Sequence, residues 1–403
     1  MQQNKNTPSI RFAGFTDAWE QRKLGELAVF NPKDDLPCEF EYVDLESVVG
    51  TEMLSHRREL KQTAPSRAQR LARTGDLFYQ TVRPYQKNNY LFELTDNDYV
   101  FSTGYAQLRP EVDGYFLLSL VQQERFVKVV LDNCTGTSYP AINSNDLADI
   151  IVSSPLFAKE SQKLGQFFRY LDLLITLHQR KYDQLVNVKK SMLEKMFPKN
   201  GETVPEVRFA GFTDAWEQRK VSEIGSFSKG TGYSKSDIRD KGTPLILYGR
   251  LYTKYETVIR DVDTFTTPKD GSVYSRGGEV IIPASGETAE DISIASVVEK
   301  SGVILGGDLN IVTPQSGIDS AFLALSISHG EAHRSLSKLA QGKSVVHIHN
   351  SDIQTVEVGI PVQAEQESIS QFFEGVDRLI TLHQRKLERL QNIKKACLEK
   401  MFV

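Results

Sequence analysis

The sequence predicts an α+β protein built from two similar halves, with two globular α+β domains joined by two long helices. Two framing segments each occur twice, and the longer one has apolar residues at helical spacing. The stretches between them mix short β-rich runs with Gly and Pro breaks. The chain has 403 residues, of which 40% are hydrophobic and 25% charged, so it can bury more than one core. Disorder as the dominant state is excluded.

The framing segments are almost identical between the halves. The shorter segment reads IRFAGFTDAWEQRK at 10–23 and VRFAGFTDAWEQRK at 207–220, and the longer one, at 166–197 and 371–402, is identical at 21 of 32 positions. The copies lie 197 and 205 residues apart, which is too long for a solenoid repeat of about 20–50 residues. We interpret the chain as a pseudo-twofold internal repeat, whose ends are kept and whose interiors vary.

The longer framing segment predicts a helix. From Leu171 to Met196 apolar residues recur in steps of three and four, and Pro198 follows. Two copies of one apolar stripe can pack against each other, so we expect an intramolecular antiparallel coiled coil. His178 and His383 stand near the middle of the copies and are expected to lie close to the pseudo-twofold axis, as polar residues that fix the register.

These segments divide the chain into five parts. We predict a constant N-terminal segment (1–23), a first variable domain (24–155), a central helix with its linker (156–206), a constant segment plus a second variable domain (207–361), and a C-terminal helix (362–403).

The net charge of −4 hides two cationic stretches. Residues 54–87 contain eight Lys or Arg against two carboxylates, and residues 229–260 contain seven against three. Lys and Arg neutralise phosphates, and interleaved Tyr, Gln, Asn, Ser and Thr can read base edges. A solvated charged face is the alternative explanation. The recurrence of the pattern in both variable interiors favours DNA binding.

We predict DNA contacts from both interiors. In the first interior the candidates are Arg57, Arg58, Lys61, Arg67, Arg70, Arg73, Tyr79, Gln80, Thr81, Arg83, Tyr85, Lys87, Asn88, Thr135, Gly136, Thr137, Ser138 and Tyr139. In the second they are Lys229, Thr231, Tyr233, Ser234, Lys235, Arg250, Tyr252, Ser285, Gly286, Glu287, Thr288, Lys343, Ser344 and His347. The alternatives are that Tyr79 and Tyr252 are core residues and that Arg67–Arg73 is a solvated helix face.

The sequence contains no complete catalytic motif that we could find. Gly342-Lys343-Ser344 resembles the end of a phosphate loop, but Ser337 stands where the first glycine is required. The Asn/Asp-Pro-Pro-Tyr/Phe tetrapeptide of amino-methyltransferases is absent, as are Gly-x-Ser-x-Gly and His-Glu-x-x-His. We therefore predict a non-catalytic chain that binds no cofactor of its own.

The cysteines and apolar runs indicate a cytoplasmic protein without a metal site. Cys38, Cys134 and Cys397 are far apart and form no CxxC pair, which fits a reducing compartment. Four histidines at 329, 333, 347 and 349 have spacing too weak to predict zinc. The apolar runs are too short to cross a bilayer, and we see no targeting pattern at the start.

The chain resembles the specificity subunits of type I restriction–modification systems. The resemblance rests on RFAGFTDAWEQRKLGEL at 11–27, RFAGFTDAWEQRK at 208–220, LLITLHQRK at 173–181, RLITLHQRK at 378–386, and the ending LEKMF in both copies. It covers the whole chain in the family's order, and it joins two motifs, twice, around divergent interiors.

The resemblance implies a function in DNA recognition and assembly. The interiors would be target recognition domains, each reading one half of a bipartite double-stranded site, and the helices would fix the gap. Two methyltransferase subunits carrying S-adenosylmethionine would dock on the helices and N-terminal segments, and two restriction subunits would bring ATP and Mg²⁺. The alternatives are a coiled-coil scaffold that spaces two protein-binding modules without reading DNA, and an enzyme with an unrecognised active site.

Overall fold

A computed structural model describes residues 6–96, 98–136, 138–199, 201–342 and 345–403. The chain forms two compact units: unit 1 comprises Met1–Gln179 and Arg385–Val403, and unit 2 comprises Arg180–Gln384. Both units mix helices and strands, so the predicted α+β class is confirmed. Unit 1 is not contiguous in sequence, because the last residues of the chain belong to it.

The helices differ greatly in length. The described α-helices are α1 (Gly114–Val121), α2 (Glu124–Asp132), α3 (Ser144–Asp149), α4 (Ala158–Lys195), α5 (Val221–Ile224), α6 (Arg250–Thr253), α7 (Ala289–Ile292), α8 (Ser320–Ser328), α9 (Gly330–Leu339), α10 (Asn350–Thr355) and α11 (Gln363–Lys400). Short 3-10 helices occupy Leu24–Glu26, Pro84–Gln86 and Lys235–Asp237. The two repeated segments predicted to be helical thus form α4 and α11, of 38 residues each.

Unit 1 contains small sheets. Its described strands are β1 (Glu20–Lys23), β2 (Ala28–Phe30), β3 (Glu39–Val43), β4 (Val48–Val49), β5 (Glu52–Met53), β6 (Arg57–Leu60), β7 (Ala68–Leu71), β8 (Leu77–Gln80), β9 (Tyr90–Leu91), β10 (Tyr99–Ser102), β11 (Tyr105–Pro110) and β12 (Ile151–Ser154). They pair as β1-β12, β4-β5, β6-β3-β10-β7 and β2-β11-β8-β9. The β3–β10 pair is parallel, and the other pairs are antiparallel.

Unit 2 repeats part of this plan around a larger sheet. Its described strands are β13 (Glu217–Lys220), β14 (Gly225–Lys229), β15 (Thr243–Ile246), β16 (Val258–Ile259), β17 (Phe265–Thr266), β18 (Glu279–Pro283), β19 (Ser285–Gly286), β20 (Ser296–Val298), β21 (Ile304–Leu305), β22 (Leu309–Pro314), β23 (Val346–His347) and β24 (Glu357–Ile360). They pair as β13-β24, β14-β22-β18-β20-β16, β17-β15-β21 and β19-β23. The pair β13-β24 is the counterpart of β1-β12, since both begin with the repeated tetrapeptide EQRK.

The end of each long helix completes an aromatic core. In unit 1 the Phe402 ring packs against Trp19, Phe116 and Phe168, with centroid distances of 5.9, 5.6 and 5.6 Å. In unit 2 the Phe197 ring packs in the same way against Trp216, Phe322 and Phe373, at 6.0, 5.9 and 6.3 Å. We call these two clusters the aromatic sockets. The residues that end α4, which lies in the first half of the sequence, therefore belong to the core of unit 2. Those that end α11, in the second half, belong to the core of unit 1.

Segments of the two long helices run antiparallel within each unit. In unit 1 Phe168 meets Phe402, and four residues later Asp172 pairs with Lys394 at 2.6 Å. In unit 2 Phe373 meets Phe197, and Asp377 pairs with Lys189 at 2.6 Å. As α4 advances, its partner residue on α11 moves backwards in sequence. The full-length coiled coil, and the closeness of His178 in unit 1 to His383 in unit 2, stay predictions.

The short framing segment is held to each helix by a buried ion pair. Arg11 forms a two-pronged contact with Glu160 at 2.5 and 2.7 Å, and Arg208 does the same with Glu365 at 2.6 and 2.7 Å. Both carboxylate side chains are almost fully buried. The contact with Glu160 raises the pKa of Arg11, so this guanidinium stays charged. The repeated arginine thus locks the framing segment onto the first turn of its helix.

Candidate nucleic-acid interface

A loop of the same construction occurs in both units. In unit 1 Thr135 forms a β-bridge with Ala141, and in unit 2 Gln341 forms one with His347. The next residue then donates its N–H to a neighbouring segment, from Ile142 to the Thr81 carbonyl at 3.1 Å and from Ile348 to the Ala284 carbonyl at 3.0 Å. The predicted contacts Thr137, Lys343 and Ser344 lie outside the described residues.

Glycine is required at the same point of each loop. Gly136 and Gly342 have φ angles of +84° and +143°, which L side chains rarely adopt. A Cβ atom on Gly342 would also lie 1.9 Å from the Val345 carbonyl oxygen. Both loops therefore have a glycine with positive φ directly after the residue that opens the bridge.

In unit 1 this loop meets Arg83, which forms no ion pair with any carboxylate that the structure describes. The Arg83 guanidinium lies 4.4 Å from the centroid of the Tyr139 ring, and the Arg83 backbone N–H donates to the Pro140 carbonyl at 2.8 Å. Tyr139 is 63% exposed, Tyr85 is 50% exposed, and Thr135 and Ser138 are exposed as well. We call Arg83, Tyr85, Thr135, Gly136, Ser138 and Tyr139 the unit 1 loop surface. Arg83 is half-buried, and an arginine that lies on an aromatic ring at the surface can contact phosphate or guanine.

Most of the other predicted cations of unit 1 are already paired. Arg57 contacts Asp44 at 2.6 Å, Arg58 contacts Glu39 at 2.7 Å, and Lys87 contacts Glu124 at 2.6 Å. Arg73 pairs with Asp34. Four of the eight cations in residues 54–87 are thus neutralised in the fold, because neighbouring segments bring carboxylates to them.

Besides Arg83, three cations of this stretch have no carboxylate partner among the described residues. Lys61 donates to the Leu36 carbonyl at 3.0 Å, and Arg67 is exposed. Arg70 is partly buried, its Nε has no hydrogen-bond partner within the described chain, and burial lowers its pKa. Arg70 lies on β7, so the alternative of a helix face at Arg67–Arg73 does not apply.

Several candidates are packing residues in this conformation. Tyr79, Gln80 and Thr81 are buried in unit 1, where burial raises the pKa of the Tyr79 hydroxyl and Gln80 donates to the Val82 carbonyl at 2.6 Å. Asn88 is partly buried and accepts a hydrogen bond from the Gly50 N–H at 2.9 Å. The buried side chains present no surface to a nucleic acid, which supports the core alternative for Tyr79.

Several candidate DNA contacts of unit 2 are also buried or already paired. The Arg250 side chain is only 8% exposed and pairs with Glu256 and Asp263 at 2.6 and 2.7 Å. Ser285 and Gly286 are buried as strand β19. Tyr252 is half-buried against Tyr248, and this burial raises its pKa. Exposed Glu287 precedes Thr288, whose side chain accepts from Asp291 as the N-cap of α7.

Unit 2 presents its exposed polar residues at the end of β14 and beside the second loop. Lys229 is exposed at the end of β14, and the adjoining Ser228 carbonyl accepts from the Asn350 side chain at 3.0 Å. The His347 and His349 rings are stacked with centroids 6.5 Å apart. We call Lys229, His347, His349 and Asn350 the unit 2 loop surface. The sequence had not singled out His349 as a DNA contact or Asn350 at all, since only the fold brings them to Lys229.

A glycine-containing turn after β14 carries the remaining candidates. Thr231 donates to the Gly271 carbonyl at 3.1 Å, and the Tyr233 hydroxyl contacts Ser272. Ser234 starts a capping box with Asp237. Lys235 is exposed and has no ion-pair partner among the described residues, so it is available to an anion.

His329 should make unit 2 sensitive to acid. Burial, reinforced by the charge of Lys189, lowers the pKa of His329 to about 4, against about 6.5 in an unfolded chain. The unfolded state binds the proton first, so on the order of 3 kcal/mol of stability is lost as pH falls from 6.5 to 4. In a Trp19→Phe background, Trp216 fluorescence should report denaturant unfolding of unit 2. His329→Leu should flatten this pH dependence, whereas exposed His347→Asn should not; an unchanged slope in His329→Leu would contradict the assignment.

Among the described residues, neither a metal site nor a membrane span was found. No group of three or more His, Cys, Asp or Glu there is arranged to hold a metal ion. No helix in the described part of the chain has the length and apolar character to cross a bilayer.

Comparison with known proteins supports the resemblance found in the sequence. Residues 213–392 match the family described as the type I restriction modification DNA specificity domain. The type I restriction enzyme MjaVIII specificity subunit of Methanocaldococcus jannaschii is 20% identical over 295 residues, which are 70% of this chain and 68% of that protein. The family model thus matches residues 213–392, and the resemblance found in the sequence is confirmed.

The fold of a solved structure extends over almost the whole chain. A type I restriction-modification system S subunit from M. genitalium aligns over 98% of this chain and 99% of its own, with a TM-score of 0.63 and 12% identity. An HsdS subunit from Thermoanaerobacter tengcongensis aligns over 95% and 96%, with a TM-score of 0.45 and 20% identity. The first of these shows that the whole chain, and not only its second half, has the S-subunit fold.

Proposed function

We propose that this chain is the sequence-specific DNA-recognition subunit of a type I restriction–modification complex, in which each unit reads one half of a bipartite double-stranded site. The observation that carries the proposal is the recurrence of one loop construction, bordered by exposed cationic or polar side chains, in two units whose framing segments are nearly identical. Recognition of two different half-sites requires two interiors that differ in sequence, each held by the same framing segments.

The unit 1 loop surface has the chemistry for base readout. Arginine can contact guanine O6 and N7 with two hydrogen bonds, which is worth about 1–3 kcal/mol of discrimination. Tyr139 supports the Arg83 guanidinium from one side, so less side-chain freedom is lost when DNA binds. In unit 2, Lys229, His347 and Asn350 offer a different set of donors and acceptors. Two different surfaces fit two different half-site sequences.

The partners proposed for this chain are double-stranded DNA, two modification subunits and two restriction subunits, in the cytoplasm and without a membrane. S-adenosylmethionine, ATP and Mg²⁺ would be bound by those subunits, and this chain would make no bond itself. The constant helices support docking, because Leu174 and Leu177 on α4 and their counterparts Leu379 and Leu382 on α11 are all exposed. Leucines left in water at equivalent positions indicate a partner surface.

The proposal is tested by exchanging one interior. Adenine methylation is first mapped in DNA from cells that carry the complete system. Residues 24–155 are then replaced by the interior of another family member. One half-site should change while the other and the gap stay the same. A change in both half-sites, or in neither, contradicts the proposal; no methylation and no salt-dependent DNA binding would favour the protein scaffold instead.

A single substitution refines this test within the native chain. Arg83→Ala should weaken binding to the mapped duplex by about 5–150-fold, equivalent to 1–3 kcal/mol, with the loss confined to one half-site. Arg57→Ala is the matched control, because Arg57 is held by Asp44 and Glu59. Fluorescence anisotropy against duplexes mutated in either half-site measures both. Equal losses for the two variants would show that Arg83 has no special role.

A further inference from the structure

Each unit contains a cavity beside the end of the helix that comes from the other half of the sequence. The unit 1 cavity has a volume of about 720 Å³ and is bordered by Lys394, Lys395 and Glu399 of α11. The unit 2 cavity has a volume of about 380 Å³ and is bordered by Lys189, Lys190 and Glu194 of α4. These residues are equivalent in the repeat. We call the two spaces the helix-end cavities.

The opposite wall is also equivalent, although it comes from the variable interiors. In unit 1 it is the turn before α2, with Gln123 at the N-cap, and in unit 2 it is the turn before α9, with His329 at the N-cap. Neither side chain caps its helix. Ser, Thr, Asp and Asn are the usual choices at this position, so the two residues are not explained by helix formation.

Both N-cap side chains bury a nitrogen that has no hydrogen-bond partner among the described residues. Gln123 is 6% exposed, its Oε1 accepts from the Arg125 Nε at 2.5 Å, and its Nε2 is left without an acceptor. The Nε2 of His329 is also buried and has no hydrogen-bond partner among the described residues. An unsatisfied buried polar atom destabilises the free protein. Its presence at the same place in two divergent interiors indicates that a ligand satisfies it.

The end of the repeated helix places two lysines at each cavity, of which one forms an ion pair with a described residue and the other does not. Lys394 and Lys189 are held by Asp172 and Asp377 at 2.6 Å. The lysine that follows each of them, Lys395 or Lys190, is exposed and has no ion pair within the described chain. Apolar side chains lie beside them, including Leu398 in unit 1 and Leu193 with Phe197 in unit 2.

We propose that each helix-end cavity binds one segment of the same protein partner, the modification subunit, through a carboxylate set among apolar side chains. A carboxylate suits an available lysine next to an unsatisfied nitrogen, and apolar side chains suit the leucine and phenylalanine. A protein partner is favoured over DNA because one wall belongs to the segment that the repeat keeps constant. A surface that recognised two different half-sites would differ in sequence between the two halves at this wall.

This inference rests on the proposed function, since it assigns the site at which two proposed subunits dock. It predicts that the two docking events can be removed one at a time. Lys395→Glu should abolish binding in unit 1 and Lys190→Glu in unit 2. Because both lysines are exposed and unpaired in the described chain, these changes leave the core and the ion pairs of Lys394 and Lys189 intact.

The experiment mixes the full chain with an excess of its modification subunit and counts bound copies by mass photometry. The unaltered chain should bind two copies, each single variant one, and the double variant none, with at least a tenfold loss of affinity at each altered site. Lys128→Glu on α2 and Lys338→Glu on α9 are the controls, since these exposed lysines lie outside the cavities. Both controls should still bind two copies.

DNA binding by the lone chain separates the possible failures. If the double variant still binds two copies of the modification subunit, the cavity assignment is wrong, while the proposed DNA recognition is unaffected. Loss of DNA affinity in the double variant, with two copies still bound, would assign the cavities to DNA phosphate instead. An unaltered chain that binds two copies but no DNA would refute the proposed DNA recognition and keep the cavities. A chain that binds DNA but no subunit would refute docking altogether.

Discussion

Replacing Phe402 by alanine is expected to destabilise unit 1 by about 3–5 kcal/mol, the usual cost of removing a buried phenylalanine ring. Phe402 is 3% exposed and lies at the centre of the unit 1 aromatic socket. Three rings, of Trp19, Phe116 and Phe168, contact it from different sides. They are held by separate elements, so they cannot all close the space that the ring leaves.

The two tryptophans of the chain report this effect separately. Trp19 lies in the socket of unit 1 and Trp216 in that of unit 2, and the sequence contains no other tryptophan. In a Trp216→Phe background, denaturant unfolding followed by Trp19 fluorescence should shift to lower denaturant with Phe402→Ala. The matched variant Phe197→Ala, in a Trp19→Phe background, should act mainly on the Trp216 signal. A Phe402→Ala chain with an unchanged Trp19 transition would show that the C-terminal residues do not stabilise unit 1.

The second large effect concerns the buried contact of Arg11 with Glu160. Arg11→Met is expected to destabilise unit 1 by about 3–5 kcal/mol, because it leaves the Glu160 carboxylate buried without a counter-ion. The Glu160 side chain is 1% exposed, so water cannot replace the lost guanidinium. Replacing both residues with apolar side chains of similar volume should cost much less, since no charge is then left in the core.

A double-mutant cycle measures this coupling directly. The variants Arg11→Met, Glu160→Leu and their combination are compared by denaturant unfolding with Trp19 as the reporter. The coupling should be favourable by more than 1 kcal/mol, as is found for residues in direct contact. The same cycle at Arg208 and Glu365 in unit 2 is the internal replicate. Additive single effects at both places would mean that the ion pairs do not stabilise the fold.

The sequence was sufficient to predict the parts of the fold that depend on local pattern. Apolar spacing predicted helices at α4 and α11, and both form. The Gly and Pro breaks predicted turns inside the interiors, and Gly136 and Gly342 both have positive φ in loops that are closed by a β-bridge. Such features can be predicted from the sequence because they depend on residues that are near in sequence or on backbone angles that only glycine adopts easily.

Features that depend on residues distant in sequence could not be predicted. Arg58 is neutralised by Glu39 across the β3–β6 pair, and Lys87 by Glu124 from α2, so a count of charges along the sequence overstated the free positive charge. Tyr79 and Gln80 read as plausible contacts, yet β8 is a central strand of its sheet and buries them. The discontinuous composition of unit 1 was missed for the same reason, because only packing shows where Phe402 lies.

The placement of Phe402 also bears on biosynthesis. A ribosome delivers residues 1–179 long before it delivers the turn that closes their aromatic core, whereas Phe197 is already present when the interior of unit 2 emerges. The domain made first is thus finished last, and a nascent chain released early lacks the ring that seals its first domain. Surveillance by chaperones and proteases would then favour a polypeptide that contains Phe402 over one that stops before it.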